Sequence, residues 1–245
     1  MKLADVAWSD AEAADTDLAV LPVGSTEQHG PHAPLGTDTI TATNVAETGV
    51  ETFAETYGGE AVVAPPVPVG VAEEHRDFAG TLWVAAATFR AYVRDVVGSL
   101  AHHGFDRVVV CNGHGGNVAA LREVCARITR HDDAYAVPFT WFDSVAVEGM
   151  GHGGPAETAF LRYVAPDLVR DDRVEEATEG AAETWGDWIA GVNLAYDSAE
   201  FADSGVVGDP GNGNAEMGEE LLGESADALA DLLDAVATRA VTRFE

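Results

Sequence analysis

Apolar segments of two lengths alternate along the chain. Short apolar runs are typical of buried strands, and longer segments with apolar residues three or four positions apart are typical of amphipathic helices. The predicted strands are 18–23, 107–111 and 134–139, and the predicted helices are 39–57, 88–103, 118–130, 155–164 and 214–244. A further strand-like run at 61–69 carries three prolines, so we expect it to leave the sheet early.

This alternation of strands and helices predicts a mostly parallel sheet that is covered by helices on both faces. The fold class is therefore α/β, a three-layer α/β/α sandwich. No break in composition and no internal repeat divides the chain, so we expect a single domain over residues 1–245. Ligand sites in such folds lie beyond the carboxyl ends of the strands. Two polar segments, 24–38 and 112–117, follow predicted strands directly, and we expect them to meet.

The charge of the chain is strongly unbalanced. Asp and Glu number 42 against 13 Lys and Arg, the formal net charge is −29, and Lys2 is the only lysine. Such a chain repels itself unless salt screens it, and the Debye length falls to about 3 Å at 1 M salt. We expect a halophilic protein, with an acidic mesophilic protein as the alternative. Partners that need basic patches, namely nucleic acid and anionic membranes, are disfavoured.

The same composition bears on location. The two cysteines, Cys111 and Cys125, do not form a disulfide framework, and the first 17 residues are polar and acidic, unlike a signal peptide. No apolar run approaches the roughly 18 residues of a membrane span. We expect a cytoplasmic protein. Cys111 is predicted to be a small buried residue rather than a nucleophile, because no basic residue is placed to lower its pKa.

Five side chains in this sequence are candidate metal ligands. Glu27 and His29 stand two residues apart and project to the same side of an extended segment, Asp38 follows a loop stiffened by prolines, His114 follows the second strand, and Glu157 begins a later helix. Imidazole and carboxylate groups suit zinc, manganese or iron(II), and the lack of a cysteine ligand disfavours a structural zinc site. Two ions that share a carboxylate would use all five groups.

Each of these residues also has an ordinary explanation. A Glu-x-His pair is common in surface loops, the glycine-rich turn around His114 can simply cap a strand, and Glu157 can complement a helix dipole. His32 is an alternative to His29 as a ligand. Spacing alone therefore leaves a metal site and a site without metal equally open.

Three blocks resemble the creatininase (creatinine amidohydrolase) family. They are Leu-Pro-Val-Gly-Ser-Thr-Glu-Gln-His-Gly-Pro-His at 21–32 with Thr-Asp at 37–38, Asn-Gly-His-Gly-Gly-Asn at 112–117, and His-Gly-Gly-Pro-Ala-Glu-Thr at 152–158. Glu-His at 74–75 with Phe-Ala-Gly-Thr at 78–81, and Ser-Gly-Val-Val-Gly-Asp-Pro at 204–210, support them. Together they follow the family's order across nearly the whole chain.

The resemblance implies a three-layer α/β/α domain with two divalent metal ions, no organic cofactor, and a homo-oligomer that is usually a hexamer. Glu27, His29, Asp38 and His114 match metal ligands, with Asp38 as the expected bridge. Creatininase proper has a carboxylate two residues after the His of its second motif, where this chain has Gly116. We therefore expect Glu157 to be the fifth ligand.

The implied reaction is hydrolysis of a carbon–nitrogen bond other than a peptide bond in a small-molecule amide. Two cations lower the pKa of a water between them, and the resulting hydroxide attacks the carbonyl. His152 is the expected proton donor to the leaving nitrogen, with a hydrogen bond to Glu157 as its alternative role. Glu157 is expected to be a catalytic group as well as a metal ligand.

Four further residues are predicted to bind the substrate. The backbone amides of Gly115, Gly116 and Asn117 precede a predicted helix, where they could hold an anionic group. His75 lies in a loop that could line the pocket, although a solvated loop histidine is equally consistent with the sequence.

The candidate substrates are those of the family's known activities. These activities include hydrolysis of creatinine, deformylation of a formylaminopyrimidine nucleotide in archaea, and trimming of the mycofactocin precursor. Creatininase covers its flat substrate with aromatic residues near the second and third motifs. Here the segment 147–151 has no tryptophan, and the nearest is Trp141. The halophilic composition favours the formylaminopyrimidine ribonucleotide, whose phosphate would need Arg76, Arg90 or Arg122. Creatinine, a mycofactocin-type peptide and a non-catalytic metal-binding scaffold are the alternatives.

Overall fold

A central parallel sheet organises the chain, which the computed structural model describes over residues 1–146 and 150–240. Short 3-10 helices connect several of the larger elements. In chain order these elements are α1 (Trp8–Glu12), β1 (Leu18–Val23), α2 (Thr37–Tyr57), β2 (Val62–Val63), α3 (Ala86–His102), β3 (Arg107–Asn112), α4 (Val118–His131), β4 (Tyr135–Thr140), α5 (Pro155–Val164), α6 (Val174–Glu179), β5 (Trp188–Ile189), β6 (Val192–Asn193) and α7 (Ala215–Thr238).

The sheet has the order β2-β1-β3-β4, and all neighbouring strands are parallel. β1 pairs with β3 over its whole length, and β3 pairs with β4 in the same way. β2 has only two residues, because Pro65, Pro66 and Pro68 follow it and have no N–H to donate to a neighbouring strand. The early exit predicted from these prolines is confirmed.

Helices cover both faces of the sheet. Side chains of β1 alternate, so that Leu18 and Val20 pack with α2, α5 and α7 while Leu21 and Val23 pack with α3 and α4. All six residues of β1 are buried, as expected for a strand covered on both sides. The predicted three-layer α/β/α sandwich is confirmed.

The element boundaries differ from the predictions in places. α2 begins at Thr37, two residues earlier than predicted, and this puts Asp38 in its first turn. α7 ends at Thr238, and residues 241–244 of the predicted last helix lie outside the described residues. α1, α6 and the β5–β6 hairpin were not predicted, because they are too short to show a hydrophobic period.

In the part of the chain that the structure describes, no helix is both long enough and apolar enough to cross a membrane.

Candidate metal centre

The five candidate ligands come together at the carboxyl edge of the sheet. Glu27 and His29 lie in the loop after β1, Asp38 in the first turn of α2, His114 just after β3, and Glu157 in the first turn of α5. Each is buried, with at most 6% of its surface exposed. Strand ends and helix N-termini therefore bring five ionisable side chains into one enclosed place.

A glycine allows this close approach. A Cβ on Gly113 would collide with the carbonyl oxygen of Asp38. The end of β3 can therefore lie against the start of α2 only because residue 113 has no side chain. This contact sets the separation between Asp38 and His114.

Asp38 lies between two groups of ligands. Its Oδ2 is 3.4 Å from His114 Nδ1, which is also 3.1 Å from Glu27 Oε1. We call Glu27, Asp38 and His114 the first subsite. The other oxygen of Asp38, Oδ1, is 3.0 Å from His29 Nε2, which is also 3.5 Å from Glu157 Oε1.

We call His29, Asp38 and Glu157 the second subsite. In each subsite the three ligand atoms lie within 4.8 Å of one another. Asp38 belongs to both, with one carboxylate oxygen for each, so the geometry suits two ions with Asp38 between them.

The tautomers of the two histidines show that these groups suit a cation. The Nδ1 of His29 lies 3.2 Å from the carbonyl oxygen of Glu27, and the Nε2 of His114 lies 2.7 Å from the carbonyl oxygen of Val71. A carbonyl can only accept, so these nitrogens carry the protons. The other nitrogens, His29 Nε2 and His114 Nδ1, face carboxylates, and they are the atoms that would bind a cation in place of a proton.

Hydrogen bonding within the protein leaves these atoms unsatisfied. Among the described residues, both oxygens of Glu27, Asp38 Oδ2 and His29 Nε2 are buried and have no hydrogen-bond partner. Unpaired buried carboxylates are costly, and a divalent cation would satisfy them. Two imidazoles and three carboxylates suit zinc, manganese or iron(II).

The pKa values follow from the same crowding. Burial lowers the pKa of His114, but the facing Glu27 and Asp38 carboxylates outweigh it and raise this pKa to about 10. Burial and the neighbouring Glu27 charge raise the pKa of Asp38 to about 7. Without a metal ion, the centre therefore holds protons between its carboxylates, and a divalent cation would displace them.

His152 lies beside this centre and faces it with a lone pair. Its Nε2 donates to the carbonyl oxygen of Gln28 at 2.7 Å, and its Nδ1 is 3.9 Å from Glu27 Oε1. Burial lowers the pKa of His152 to about 4, so the ring is neutral at pH 7. The alternative role, a hydrogen bond to Glu157, differs from what the structure shows, because Glu157 Oε2 accepts from the backbone of Gly153 at 2.6 Å.

His32 is the other histidine of the opening motif, and it lies apart from both subsites. Its Nε2 is 2.9 Å from the hydroxyl of Thr158, and it belongs to none of the ligand groups among the described residues. The structure therefore favours His29 over His32 as the ligand.

Asn117 differs from the expected substrate-binding role. Its backbone N–H donates to the carbonyl of His114, and its side chain accepts from Val71 N and donates to the carbonyl of Gly24. These bonds hold the loops around the centre together. Gly115 and Gly116, by contrast, line the cavity.

Gly116 has no room for a side chain. A Cβ there would collide with the carbonyl oxygen of Val71 and lie 2.7 Å from Glu74 Oε1. The segment that contains Val71 and Glu74 thus occupies the space that a carboxylate at position 116 would need. Glu157 is the fifth potential ligand that this arrangement provides.

A cavity of about 600 Å³ opens over the centre. Asp38, His114, His152 and Glu157 are among the residues that line it. Its walls include Glu74, His75, Phe142, Met150, Glu183 and Trp185. Among the described lining residues there is no arginine or lysine.

Several residues of the site were missed by the sequence analysis, among them Trp185, Gln28 and Glu74. Trp185 lines the cavity, with its ring 5.5 Å from that of His75 and 5.9 Å from that of His152. Gln28 links three segments through its side chain, and Glu74 lies 3.9 Å from His114 Nε2. For Gln28 and Glu74 a signal existed, since both lie in motifs that carry the family resemblance. Trp185 lies in a segment without any such motif.

Trp185 also weakens the argument that the site lacks aromatic residues to cover a flat substrate such as creatinine. The expectation against creatinine rested on the missing tryptophan in segment 147–151, of which residues 147–149 lie outside the described residues. Trp141 is fully buried and packs on Phe160, away from the cavity. An aromatic wall is nevertheless present, because Trp185 and Phe142 provide it.

Comparisons with known proteins point to one family. The family model described as creatinine amidohydrolase matches residues 4–233. The chain is 38% identical over 217 residues to the mycofactocin precursor peptide peptidase of Mycolicibacterium smegmatis, covering 87% of this chain and 83% of that protein. It is 29% identical over 259 residues to the creatinine amidohydrolase of Pseudomonas putida, covering 94% of each.

Solved structures share the fold. A protein from Bacteroides fragilis NCTC 9343 superposes with a TM-score of 0.83 at 24% identity, over 99% of this chain and 98% of that one. A manganese form of creatininase superposes with a TM-score of 0.76 at 26% identity, over 97% and 99%, and a mutant creatininase has been solved in a Zn-Zn form. The length and identity of these matches show that this chain belongs to the creatininase family of amidohydrolases.

Proposed function

We propose that this chain hydrolyses a small amide that carries no phosphate, at a centre of two divalent metal ions held by Glu27, His29, Asp38, His114 and Glu157. The observation that carries the proposal is the division of Asp38, whose two oxygens face two histidine ring nitrogens, one in each subsite. Bound ions would supply a Lewis acid for the amide carbonyl and an acidified water as the nucleophile.

His152 moves the proton in this proposal. Its Nε2 proton is held by the carbonyl of Gln28, so Nδ1 is the atom that exchanges protons with the cavity. A neutral ring takes a proton from the nucleophilic water first and then donates it to the leaving nitrogen, as a general base that becomes a general acid. The expected role of proton donor is therefore kept, with Nδ1 as the atom that acts.

Glu157 serves as a ligand rather than as the base. One oxygen accepts from the backbone of Gly153 and the other faces His29 Nε2 at 3.5 Å. Both oxygens thus have partners already, and Glu157 would fix the second subsite to the start of α5.

The charge of the cavity favours a substrate without phosphate. The three arginines that could have bound a phosphate are paired elsewhere, Arg76 with Asp197 at 2.7 Å, Arg90 with Glu123 at 3.3 Å and Arg122 with Asp143 at 3.6 Å. The carboxylates of Glu74 and Glu183 line the cavity instead. The formylaminopyrimidine ribonucleotide that the sequence favoured is therefore the weaker candidate.

A peptide is the second candidate substrate. The 38% identity to a mycofactocin precursor peptide peptidase over 83% of that protein favours it. Creatinine has the support of the 29% identity to a creatinine amidohydrolase and of the aromatic wall that Trp185 provides.

The test is hydrolysis by metal-loaded protein in high potassium chloride. The panel contains creatinine, the formylaminopyrimidine ribonucleotide and its dephosphorylated nucleoside, and short peptides. We expect turnover of a phosphate-free amide, loss of that turnover in Asp38→Asn, and full turnover in Asp227→Asn, which changes an exposed carboxylate on α7.

Two results would contradict the proposal. Full turnover in excess chelator would rule out the metal centre, and turnover of the phosphorylated nucleotide alone would rule out the phosphate-free substrate.

A further inference from the structure

One carboxylate in the cavity belongs to neither subsite. Glu74 lies in a short 3-10 helix, Glu73–His75, and its side chain lines the cavity. Its Oε1 is 3.9 Å from His114 Nε2, which is too far for a hydrogen bond, and that nitrogen already donates to the carbonyl of Val71 at 2.7 Å. Because Nδ1 of the same ring faces Glu27 at 3.1 Å, the ring of His114 lies between Glu74 and the first subsite.

Glu74 is held in this position from two sides. The hydroxyl of Ser198 donates to the backbone carbonyl of Glu74 at 3.1 Å and fixes the short helix to a distant part of the chain. On the other side, a Cβ on Gly116 would lie only 2.7 Å from Glu74 Oε1. The carboxylate therefore occupies space that Gly116 leaves open at the wall of the cavity.

No basic side chain neutralises Glu74 in the part of the chain that the structure describes. The neighbouring Arg76 pairs with Asp197 at 2.7 Å instead, and no described arginine or lysine lines the cavity. The side chain of Glu74 is only 24% exposed, so it has lost most of its contact with water. A carboxylate that is largely removed from water and has no cationic partner is costly, and a cationic ligand in the cavity would offset that cost.

The proposed metal centre would not neutralise Glu74 either. Two divalent ions bring four positive charges, and the ligand carboxylates of Glu27, Asp38 and Glu157 bring three negative ones. The hydroxide that attacks the amide removes the remaining positive charge. With neutral histidine ligands the centre is then balanced without Glu74, whose charge is left for another partner.

Aromatic side chains in the same cavity point to the kind of partner. Trp185 and Phe142 line it together with Glu74. Aromatic rings attract organic cations through their π-electrons, and a carboxylate forms strong hydrogen bonds with the N–H groups of such cations. The two features therefore favour the same class of ligand.

We propose that Glu74 is a specificity-determining residue that binds a positively charged nitrogen group of the substrate, an ammonium or a guanidinium. The substrate of this centre is then a cationic amide. This inference rests on the proposed function, and it narrows the phosphate-free amide to one with a positive charge near the bond that is cleaved.

Two substitutions and two probes test this assignment. Glu74→Gln keeps the size of the side chain and removes its charge. Glu73→Gln is the matched control, because Glu73 is an exposed glutamate of the same short helix and is not among the described residues that line the cavity. The probes are benzylammonium and benzyl alcohol, which are nearly equal in size, differ in charge and contain no amide.

The experiment is calorimetric titration of the Mn²⁺-loaded full chain with each probe in about 1 M potassium chloride, which screens exposed carboxylates more than those in a cavity. We expect the wild type to bind benzylammonium about tenfold more tightly than benzyl alcohol, because hydrogen bonds with ionised partners are stronger than neutral ones. Glu74→Gln should lose this preference, and Glu73→Gln should keep it.

Turnover gives a second measurement. Short peptides with a free N-terminal amine are compared with their N-acetylated forms. For the free amines we expect Glu74→Gln to raise KM about tenfold and to leave kcat unchanged, the pattern of a lost contact that is equally strong in the ground state and the transition state.

The outcomes distinguish the two proposals. If the wild type does not bind two Mn²⁺ ions per chain, the proposed function fails. If it binds two and prefers neither probe, if Glu74→Gln keeps the preference, or if Glu73→Gln loses it, only the assignment of Glu74 is overturned. A Glu74→Gln chain that is folded by its thermal unfolding but binds fewer than two ions would also overturn the assignment, because Glu74 would then be a metal ligand.

Discussion

His29 Nε2 lies 3.0 Å from Asp38 Oδ1, while the other ring nitrogen, Nδ1, lies 3.2 Å from the carbonyl oxygen of Glu27. Burial lowers the pKa of His29, but the facing Asp38 and Glu157 carboxylates outweigh it and raise this pKa well above its usual range, so a proton lies between the two atoms without metal and a divalent cation would take its place. The same relationship holds for His114 Nδ1 and Asp38 Oδ2 at 3.4 Å. Asp38 is thus the one carboxylate common to both subsites.

Substitutions at the centre should therefore differ in the number of ions they remove. Asp38→Asn takes away the shared carboxylate and should abolish binding at both subsites, whereas Glu157→Gln should impair the second subsite alone. Equilibrium dialysis followed by metal analysis measures the stoichiometry. Loss of only one ion in Asp38→Asn would contradict the shared position of this residue.

Removal of metal should lower the stability of the folded chain. A ligand that binds only the folded state stabilises it by about 2.7 kcal/mol when its free concentration is one hundred times its Kd. We therefore expect chelation to lower the Tm of the wild type, and to leave the Tm of Asp38→Asn unchanged. Differential scanning calorimetry with and without chelator measures both, and equal shifts in the two proteins would show that the metal acts elsewhere.

Much of the fold could be predicted because its elements are long enough to show a period. β1 is an uninterrupted apolar run, β3 contains one at 108–111, and α3, α4 and α7 repeat their apolar residues at helical spacing. The β5–β6 hairpin has two-residue strands with exposed Trp188 and Ile189, so neither period nor burial marked it. Trp185 lies just before this hairpin in the chain, so its place in the wall of the cavity was not predicted either.

The candidate ligands could be named from the sequence, but their tautomers could not. The nitrogen of His114 that faces the carboxylates is set by the carbonyl of Val71, which is 43 residues away in the chain and accepts from the other nitrogen. Such backbone acceptors carry no residue-type signal. Only the folded chain shows which nitrogen of each ring faces the centre.

Acid should destabilise the protein in part through His32. Burial lowers the pKa of His32 to about 4, below the value of 6.5 for an exposed ring. Between pH 6.5 and 4 the unfolded chain therefore binds a proton at His32 that the folded chain does not, and stability falls as the pH falls. One such proton is worth about 1.4 kcal/mol per pH unit.

His32→Gln keeps a polar group for Thr158 and removes this titration. We expect its free energy of unfolding, from urea denaturation in chelator, to fall less steeply between pH 6.5 and 4 than that of the wild type. Parallel curves for the two proteins would contradict the buried, neutral state of His32.

Both cysteines should be inert in the folded chain. Burial raises the pKa of Cys125 to about 12 and that of Cys111 still higher, so almost no thiolate forms at pH 8. Ellman's reagent should detect no fast-reacting thiol in the native protein and two after unfolding. A native thiol that reacts at the rate of a free cysteine would reopen the question of a nucleophilic Cys111.

Salt should stabilise the folded chain more than it does an ordinary acidic protein. The net charge of −29 is spread over 245 residues with 13 basic side chains, so most surface carboxylates have no basic partner to pair with. Their mutual repulsion weakens as the Debye length shrinks from about 10 Å at 0.1 M to about 3 Å at 1 M salt. We expect the Tm to rise steadily between 0.1 and 3 M potassium chloride. The Asp38→Asn variant is the control. A similar rise in its Tm would show that surface screening, rather than the metal centre, is responsible. A Tm that is independent of salt over this range would contradict a halophilic protein.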